Sequence, residues 1–164
     1  MNIKPILYGA GAFAVVYGAG VLYRQYVLIS NSDYEVGNVK ILGLDRTGLN
    51  LSMDLQMNNK SNLTITSYKQ VYDIYLNDIF VGKIIDNKTT VIPAKGVGTF
   101  NYRVVVNPAT VLKAGINILG AGDPKRMFEN TIVRIQGTMS ARTSGIFLSK
   151  LPIDMKFKLG DYLK

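Results

Sequence analysis

Alternating apolar and polar positions dominate the chain from about residue 39 onward. In LNLSMDLQM (49–57) every second residue is apolar, which is typical of a β-strand with one buried face. A helix would not bury this set on one side, because its side chains repeat every 3.6 residues. The same alternation recurs in three later stretches. The inward positions are Leu49, Leu51, Met53, Leu55 and Met57; Phe100, Tyr102, Val104 and Val106; Val133, Ile135, Met139 and Ala141; and Leu151, Ile153, Met155, Phe157 and Leu159.

Turn residues mark further strands between these stretches. QVYDIYLNDIFVGKI (70–84) predicts two strands joined at Asn77 and Asp78, residue types that tolerate the positive φ of a two-residue hairpin turn. The inward positions there are Tyr72, Ile74 and Leu76. VIPAKG (91–96) interrupts the next strand with a proline and a glycine, as an edge or a loop would.

One stretch of the body has helical spacing. After Asn107 and Pro108, the segment ATVLKAGINIL (109–119) places Val111, Leu112 and Leu119 on a helical repeat, and Pro108 suits a first helical turn. GAGDPKR (120–126) then indicates a helix stop and a turn.

The count of strands decides the fold class. Residues 39–164 contain about seven strand segments, the number typical of an immunoglobulin-like or fibronectin III-like sandwich. We therefore predict an all-β fold for this domain, an immunoglobulin/fibronectin III-like antiparallel β-sandwich with one short crossover helix.

An uncharged apolar segment precedes the body. Residues 6–23 carry no charge over about 18 positions, roughly 27 Å of helix, and extension to residue 29 would span the hydrocarbon core of a bilayer. We predict an N-terminal apolar α-helix of transmembrane type over residues 1–29 and a polar linker over 30–38. A cleaved signal peptide and a helix buried in a protein assembly are the alternatives. The predicted membrane-facing residues are Ile6, Tyr8, Phe13, Val16 and Tyr23.

Small side chains repeat along one face of the predicted helix. They are Ala10, Gly11, Ala14 and Gly18, and such a smooth face lets a second helix approach closely. This predicts a protein partner or self-association through the N-terminal helix. Glycine and alanine are also common in membrane helices in general, which is the simpler interpretation.

Composition removes most catalytic chemistry. The chain has no cysteine and no histidine, so thiolate nucleophiles, imidazole bases and the usual zinc sites are excluded. Its 11 carboxylates form no close sequence motif for a metal loop. We expect no catalytic, metal or cofactor site and no enzymatic activity. An enzyme that uses only lysine, tyrosine or carboxylate chemistry is the alternative.

The net charge of +8 lies on the folded body, because the four charges before residue 40 cancel. If the last two long strands pair, their outward face collects several basic side chains, and a neighbouring strand extends this set. The predicted basic surface is Arg103, Arg134, Arg142, Lys156 and Lys158. It would attract membrane lipid with anionic head groups. Exposed basic side chains also protect strands from aggregation, which is the alternative.

Nucleic acid is not an expected partner, because most aromatic residues fall on inward positions.

The order of these motifs resembles the type 2 late-embryogenesis-abundant proteins, also called the water-stress and hypersensitive-response domain, over about residues 38–160. The resemblance rests on LQMNNKSNLTI, YDIYLNDIFVGK, VIPAKG, the helix after Asn107 and Pro108, and LPIDMKFKL. Family members usually carry Asn-Pro-Asn after the second strand, where this chain has NNKSN (58–62). The proline-set turn is therefore missing.

The resemblance implies a fibronectin-like sandwich at or near a membrane, without enzymatic activity and with lipid binding as a proposed role. Bacterial relatives often carry an N-terminal lipidated cysteine, which this chain replaces with the apolar segment. We therefore expect a membrane-anchored binding or scaffolding domain of the cell envelope. The alternative is a structural virion protein, whose helix sits in a viral membrane or packs against neighbouring subunits.

Overall fold

The period-two pattern turns the apolar side chains of each long strand to one side, and two antiparallel sheets share the core that these side chains form. The computed structural model describes residues 19–23, 26, 31–45, 48–116 and 124–163. Its strands are β1 (Ser32–Asp45), β2 (Gly48–Asn59), β3 (Ile65–Leu76), β4 (Ile79–Asp86), β5 (Thr90–Ile92), β6 (Gly96–Val106), β7 (Ile132–Thr143) and β8 (Ile146–Lys158). Its helices are α1 (Pro108–Lys113), α2 (Pro124–Phe128) and a 3-10 turn, Leu159–Asp161.

The strands form two sheets. Sheet A has the order β1-β2-β6, and sheet B has the order β4-β3-β7-β8, with β5 paired to the start of β3. Every pairing is antiparallel. One hydrophobic cluster contains the inward side chains of both sheets, so the sheets pack face to face. The inward positions predicted for β2, β3, β6 and β7 are all buried, which confirms the alternation.

Two tight turns set the register of the sheet B hairpins. Asn77 and Asp78 both have positive φ (46° and 63°), as predicted for the β3–β4 turn. Ser144 and Gly145 join β7 to β8 in the same way, with φ of 46° and 78°. The predicted pairing of the last two long strands is therefore confirmed.

The two ends of the sandwich are built differently. At one end, called the entry end, the backbone of Lys60 donates to Asn31 (2.7 Å), and Lys95 donates to Ser61 (3.0 Å). The β7–β8 turn lies at the same end, where the Thr143 hydroxyl donates to the Thr64 carbonyl (2.8 Å). The opposite end, called the far end, contains the Asn77-Asp78 turn, α1, α2 and the 3-10 turn. The chain enters the sandwich at the entry end, immediately after the apolar N-terminal segment.

The predicted crossover helix is present but shorter than its pattern suggested. Asn107 caps α1 by accepting a hydrogen bond from the Ala109 amide (2.8 Å), and Pro108 occupies the first turn. Val111 is buried, whereas Leu112 is 46% exposed, so only one of the two predicted apolar contacts forms. Leu119 lies outside the described residues. The turn predicted over 120–126 is incorrect in its last part, because α2 begins at Pro124.

The linker predicted for residues 30–38 is wrong over most of its length, because β1 begins at Ser32 and pairs with β2. Its polar residues belong to an edge strand with one solvent-facing side, and Val36 still points into the core. A β-bulge between Val36 and Val39 interrupts the alternation that would have revealed the strand.

The strand count is eight in the described part of the chain, against about seven predicted. The additional strand is β5, in which three residues, Thr90–Ile92, pair with Ile65–Ser67. Pro93 follows directly and has no amide hydrogen for the ladder, so a segment predicted to be an interruption forms a very short strand.

The predicted membrane helix falls mainly outside the described residues. Residues 19–23 and 26 are helical, and Tyr23 is exposed. Of the other proposed residues, those facing lipid (Ile6, Tyr8, Phe13, Val16) and those facing a second helix (Ala10, Gly11, Ala14, Gly18) lie outside the description. Within the part that the structure describes, no helix combines the length and apolar character that a bilayer crossing requires.

Candidate functional site

The outward face of sheet B, the side directed away from sheet A, has a charge-compensated half near the far end. Arg134 lies directly opposite Lys156 in the β7–β8 ladder. Arg134 donates two hydrogen bonds to Asp154, Nε to Oδ1 at 2.8 Å and Nη2 to Oδ2 at 2.5 Å. These bonds hold the pKa of Asp154 below its usual range and raise the pKa of Arg134. Lys156 lies 3.5 Å from an Asp78 carboxylate oxygen. Lys158 lies in the same half and forms no ion pair with a described carboxylate, so most but not all of the positive charge here is compensated.

The half of the same face near the entry end carries uncompensated positive charge. Lys69 on β3, Arg142 on β7 and Lys150 on β8 are exposed. None of the three forms an ion pair with a carboxylate in the described ranges. Because positive charges without acidic neighbours attract anions, this half of sheet B is the stronger candidate for contact with an anionic surface.

Between the basic side chains of this half lies a depression of about 250 Å3. The residues that line it are Lys69, Val71, Thr138, Ser140, Ser149 and Lys150. Two lysine ammonium groups and three hydroxyls can all donate hydrogen bonds, and none of the lining residues is acidic. The depression thus presents donors and positive charge to any group that enters it.

Two β-bulges lie beside the depression. The β3–β7 register shifts between Ser67 and Lys69, and the β7–β8 register shifts between Met139 and Ala141. Both shifts lie beside Ser140, which pairs with Lys69. A bulge bends its strand and redirects nearby side chains, and bulges are over-represented next to functional sites. Two of the three register shifts in the described part of sheet B thus lie beside the depression, and they account for the concave surface there.

The predicted basic surface is divided among three places. Arg134, Lys156 and Lys158 lie together on the outward face of sheet B toward the far end. Arg142 is eight residues from Arg134 along β7, or about 26 Å. Arg103 lies on β6 in sheet A, opposite Ser52, and faces away from sheet B. The structure thus brings three of the five residues together.

Sequence reasoning missed Lys69 and Lys150. A signal was available in β8, because Leu148 and Leu151 are both buried yet are three positions apart, which indicates a bulge. The neighbourhood of Lys69 required the strand order, since β3 and β7 are far apart in sequence. The spacing of Leu148 and Leu151 could therefore have located the irregularity, but not the side chains gathered around it.

A second concavity separates the edge strands β1 and β8. This cleft, of about 180 Å3, is lined by Ser32, Tyr34, Met57, Leu151, Pro152, Ile153 and Asp154. The Ser32 hydroxyl is buried and has no hydrogen-bond partner among the described residues. Burial raises the pKa of the Tyr34 phenol, so this group is neutral at ordinary pH. The lining is divided about equally between polar and apolar surface, and its one carboxylate, Asp154, already binds Arg134.

No group of carboxylates within the described ranges is arranged to share a metal ion. The described residues define an all-β domain of two antiparallel sheets with a basic depression on one outward face. No protein-family model and no curated protein matches the chain. Seventeen chains of known structure do match it.

Three of these structures match most of this chain at low sequence identity. An X-ray structure of a Northeast Structural Genomics Consortium target is 9% identical, covers 79% of this chain and 88% of its own, and has a TM-score of 0.51. A protein from Archaeoglobus fulgidus is 12% identical, covers 77% of this chain and 94% of its own, and has a TM-score of 0.43. A solution structure of a candidate late embryogenesis abundant (LEA) protein is 15% identical, covers 97% of this chain and 91% of its own, and has a TM-score of 0.43.

One solved neighbour is therefore a candidate member of the family that the sequence resembles. At these identities the likeness concerns the fold alone, and no argument about function rests on the two structures with a TM-score of 0.43.

Proposed function

We propose that the chain is a non-enzymatic, membrane-anchored binding domain of the cell envelope whose entry end contacts anionic lipid. The observation that carries the proposal is the position of the uncompensated charge. Lys69, Arg142 and Lys150 occupy the half of sheet B that lies toward Asn31, where the apolar N-terminal segment joins the body. A segment held in a bilayer would keep this half near the lipid head groups.

The size of the electrostatic attraction fits an auxiliary role. A basic residue near an anionic membrane surface contributes about 1 kcal/mol, so three contribute about 3 kcal/mol. That is weak on its own and falls as salt is added, but it orients a domain that is already tethered. Phe147 supports the same placement, because it is 66% exposed beside Arg142 and packs edge-on against Tyr68 at a ring distance of 6.1 Å.

We also propose that the sandwich is of the immunoglobulin/fibronectin III type. Its strand order supports this assignment, since β1-β2-β6 corresponds to strands A-B-E of such a domain, and β4-β3-β7-β8 corresponds to C′-C-F-G. Domains of this type usually act by binding, which agrees with a non-enzymatic role, but fold alone does not establish function.

Membrane fractionation of the full chain tests the anchor. The double variant Phe13→Lys/Val16→Lys places two charges in the apolar segment, at a cost of about 2.5 to 3.5 kcal/mol each near the bilayer centre. We expect the unmodified chain to remain with membranes after alkaline carbonate extraction and the variant to be released.

The matched control adds the same charge to the body. Val97 and Val105 are 53% and 61% exposed on the outward face of sheet A, so Val97→Lys/Val105→Lys should fractionate like the unmodified chain. Release of the unmodified chain by carbonate, or equal retention of both double variants, would contradict an anchoring role of residues 1–29.

Two predictions from the sequence stay open beside this proposal. A structural virion protein would co-purify with virus particles rather than with the host envelope, so the same fractions distinguish the two roles. Self-association through Ala10, Gly11, Ala14 and Gly18 would appear as crosslinked dimers that depend on those residues.

A further inference from the structure

We infer that the depression on sheet B is a binding site for a phosphate group, held by Lys69 and Lys150 and by the hydroxyls of Thr138, Ser140 and Ser149. This inference extends the proposed lipid contact. The phosphate comes either from a phospholipid head group or from free inorganic phosphate, and only the first of these sources rests on the proposed lipid contact.

The lining residues come from three adjacent strands. Lys69 and Val71 on β3 pair with Ser140 and Thr138 on β7, and β8 adds Ser149 and Lys150 from the other side. A ligand in the depression would therefore be contacted from two sides and from below. The volume of about 250 Å3 accommodates a phosphate group with several waters, since one water takes about 30 Å3.

The backbone beside the depression is held in an unusual conformation. Lys150 has a positive φ of 57°, which is uncommon for a residue other than glycine. It lies in the β8 segment opposite the bulge between Met139 and Ala141. In a regular strand Ser149 and Lys150 would point to opposite faces, yet here both line the same depression.

The chemistry of the donors selects a phosphate over other ligands. The depression offers hydrogen-bond donors and two positive charges but no carboxylate, which disfavours a cation or an amine. Phosphate oxygens accept several hydrogen bonds at once, and bonds to an ionised acceptor are about twice as strong as neutral ones. Lysine acts as a point charge toward phosphate and needs no planar, two-point geometry.

The compensated half of sheet B provides a contrast within the same face. Around Arg134 and Lys156 the nearest partners are Asp154 and Asp78, so those cations already have anionic ligands. Lys83 is likewise 3.2 Å from an Asp73 oxygen. Lys69 and Lys150 have no such partner among the described carboxylates. An external anion would therefore bind them without displacing an existing ion pair.

The test is a titration of the full chain in maltoside micelles with inorganic phosphate, followed by backbone amide NMR. We expect saturable shifts centred on Ser140, Ser149 and Lys150. The double variant Lys69→Gln/Lys150→Gln should weaken binding at least about tenfold, which corresponds to about 1.4 kcal/mol. The matched control Lys40→Gln/Arg103→Gln removes the same charge from exposed positions on sheet A and should change affinity less than twofold.

Vesicles distinguish the source of the phosphate. Two results together support a head-group site: the chain binds inorganic phosphate, and it binds vesicles in a charge-dependent way that is lost in Lys69→Gln/Lys150→Gln. Binding of inorganic phosphate without any vesicle contact supports the site for free phosphate and removes the proposed lipid contact. Vesicle binding that is unchanged in this variant, with no saturable phosphate shifts, overturns the site but leaves the lipid contact in place.

Discussion

At the residue scale, Gly137 marks a position where two strands of sheet B lie too close together for a side chain. A β-carbon at this position would lie 2.0 Å from the Val71 carbonyl oxygen and 2.8 Å from the Tyr72 Cα. No side chain fits in that space without moving the backbone of β3. Gly137 therefore allows β7 to lie directly against the strand that carries the buried Tyr72.

The variant Gly137→Ala should lower the free energy of unfolding by at least about 2 to 3 kcal/mol, because the added methyl group must push two paired strands apart. Gly43→Ala is the control, since a β-carbon there meets nothing within 4 Å. It should leave stability within about 1 kcal/mol of the unmodified chain. Urea denaturation followed by circular dichroism measures both, and similar stability of the two variants would contradict the close packing.

The buried side chain of Asn59 fixes the loop that follows β2. It is fully buried, donates to the carbonyls of Leu63 (2.7 Å) and Pro93 (2.9 Å), and accepts from the amide and the hydroxyl of Ser61. Four hydrogen bonds thus fix the loop after β2 and tie it to the loop before β6. The side chain of Asn59 thus holds a loop, NNKSN (58–62), that contains no proline.

At the element scale, tyrosines pack between the two sheets. Tyr72 of β3 and Tyr102 of β6 meet edge to face at a ring distance of 5.8 Å, and both are at most 4% exposed. Burial raises the pKa of both phenols, and it also raises that of Tyr34 on β1. Their hydroxyls are therefore neutral inside the fold, which makes the packing of the sheets sensitive to alkaline pH.

The sign of this pH dependence follows from the direction of the shifts. The folded pKa lies above the unfolded value of about 10, so the stabilisation is complete below pH 10 and is lost as pH rises toward the folded value. Each phenol that stays neutral in the fold lowers stability by about 1.4 kcal/mol per pH unit in that range.

The variant Tyr72→Phe should reduce this slope by about 1.4 kcal/mol per pH unit, because it removes one group that ionises only on unfolding. Urea denaturation at a series of pH values above 10 measures the slope. Between pH 6 and 9 the difference between the variant and the unmodified chain should stay constant, which serves as the internal control. An unchanged slope above pH 10 would show that Tyr72 ionises in the folded protein.

The sequence predicted the long strands because burial on one face leaves a direct period-two signal, as in β2 and β6. It failed where a local interruption breaks the period. The bulge in β1 made a strand resemble a linker, and Pro93 hid the three-residue β5. The basic surface was predicted only in part, because the sequence does not show which strands are neighbours. It also does not show which carboxylates pair with the basic residues. The acidic partner of Arg134 comes from β8, and that of Lys156 comes from the distant turn at Asp78.

At the scale of the whole molecule, the sandwich is polarised along its strands. β7 extends from Ile132 at the far end to Thr143 at the entry end, a distance of about 40 Å. The entry end combines the junction with the apolar segment, the uncompensated basic residues and the exposed ring of Phe147. The far end carries α1 and α2, and acidic residues such as Asp78 and Glu129 offset part of the positive charge of its basic residues. A domain tethered at residue 31 would thus face an anionic bilayer with its basic end.

The central claim is this orientation, and site-specific fluorescence tests it most directly. The chain has no native cysteine, so Asn62→Cys at the entry end and Glu129→Cys at the far end each give one labelling site. Both positions are exposed. The full chain would be labelled with an environment-sensitive fluorophore and reconstituted into vesicles rich in phosphatidylserine that contain a spin-labelled head group. We expect strong quenching at residue 62 and little at residue 129. Equal quenching at both positions, or stronger quenching at residue 129, would contradict the orientation.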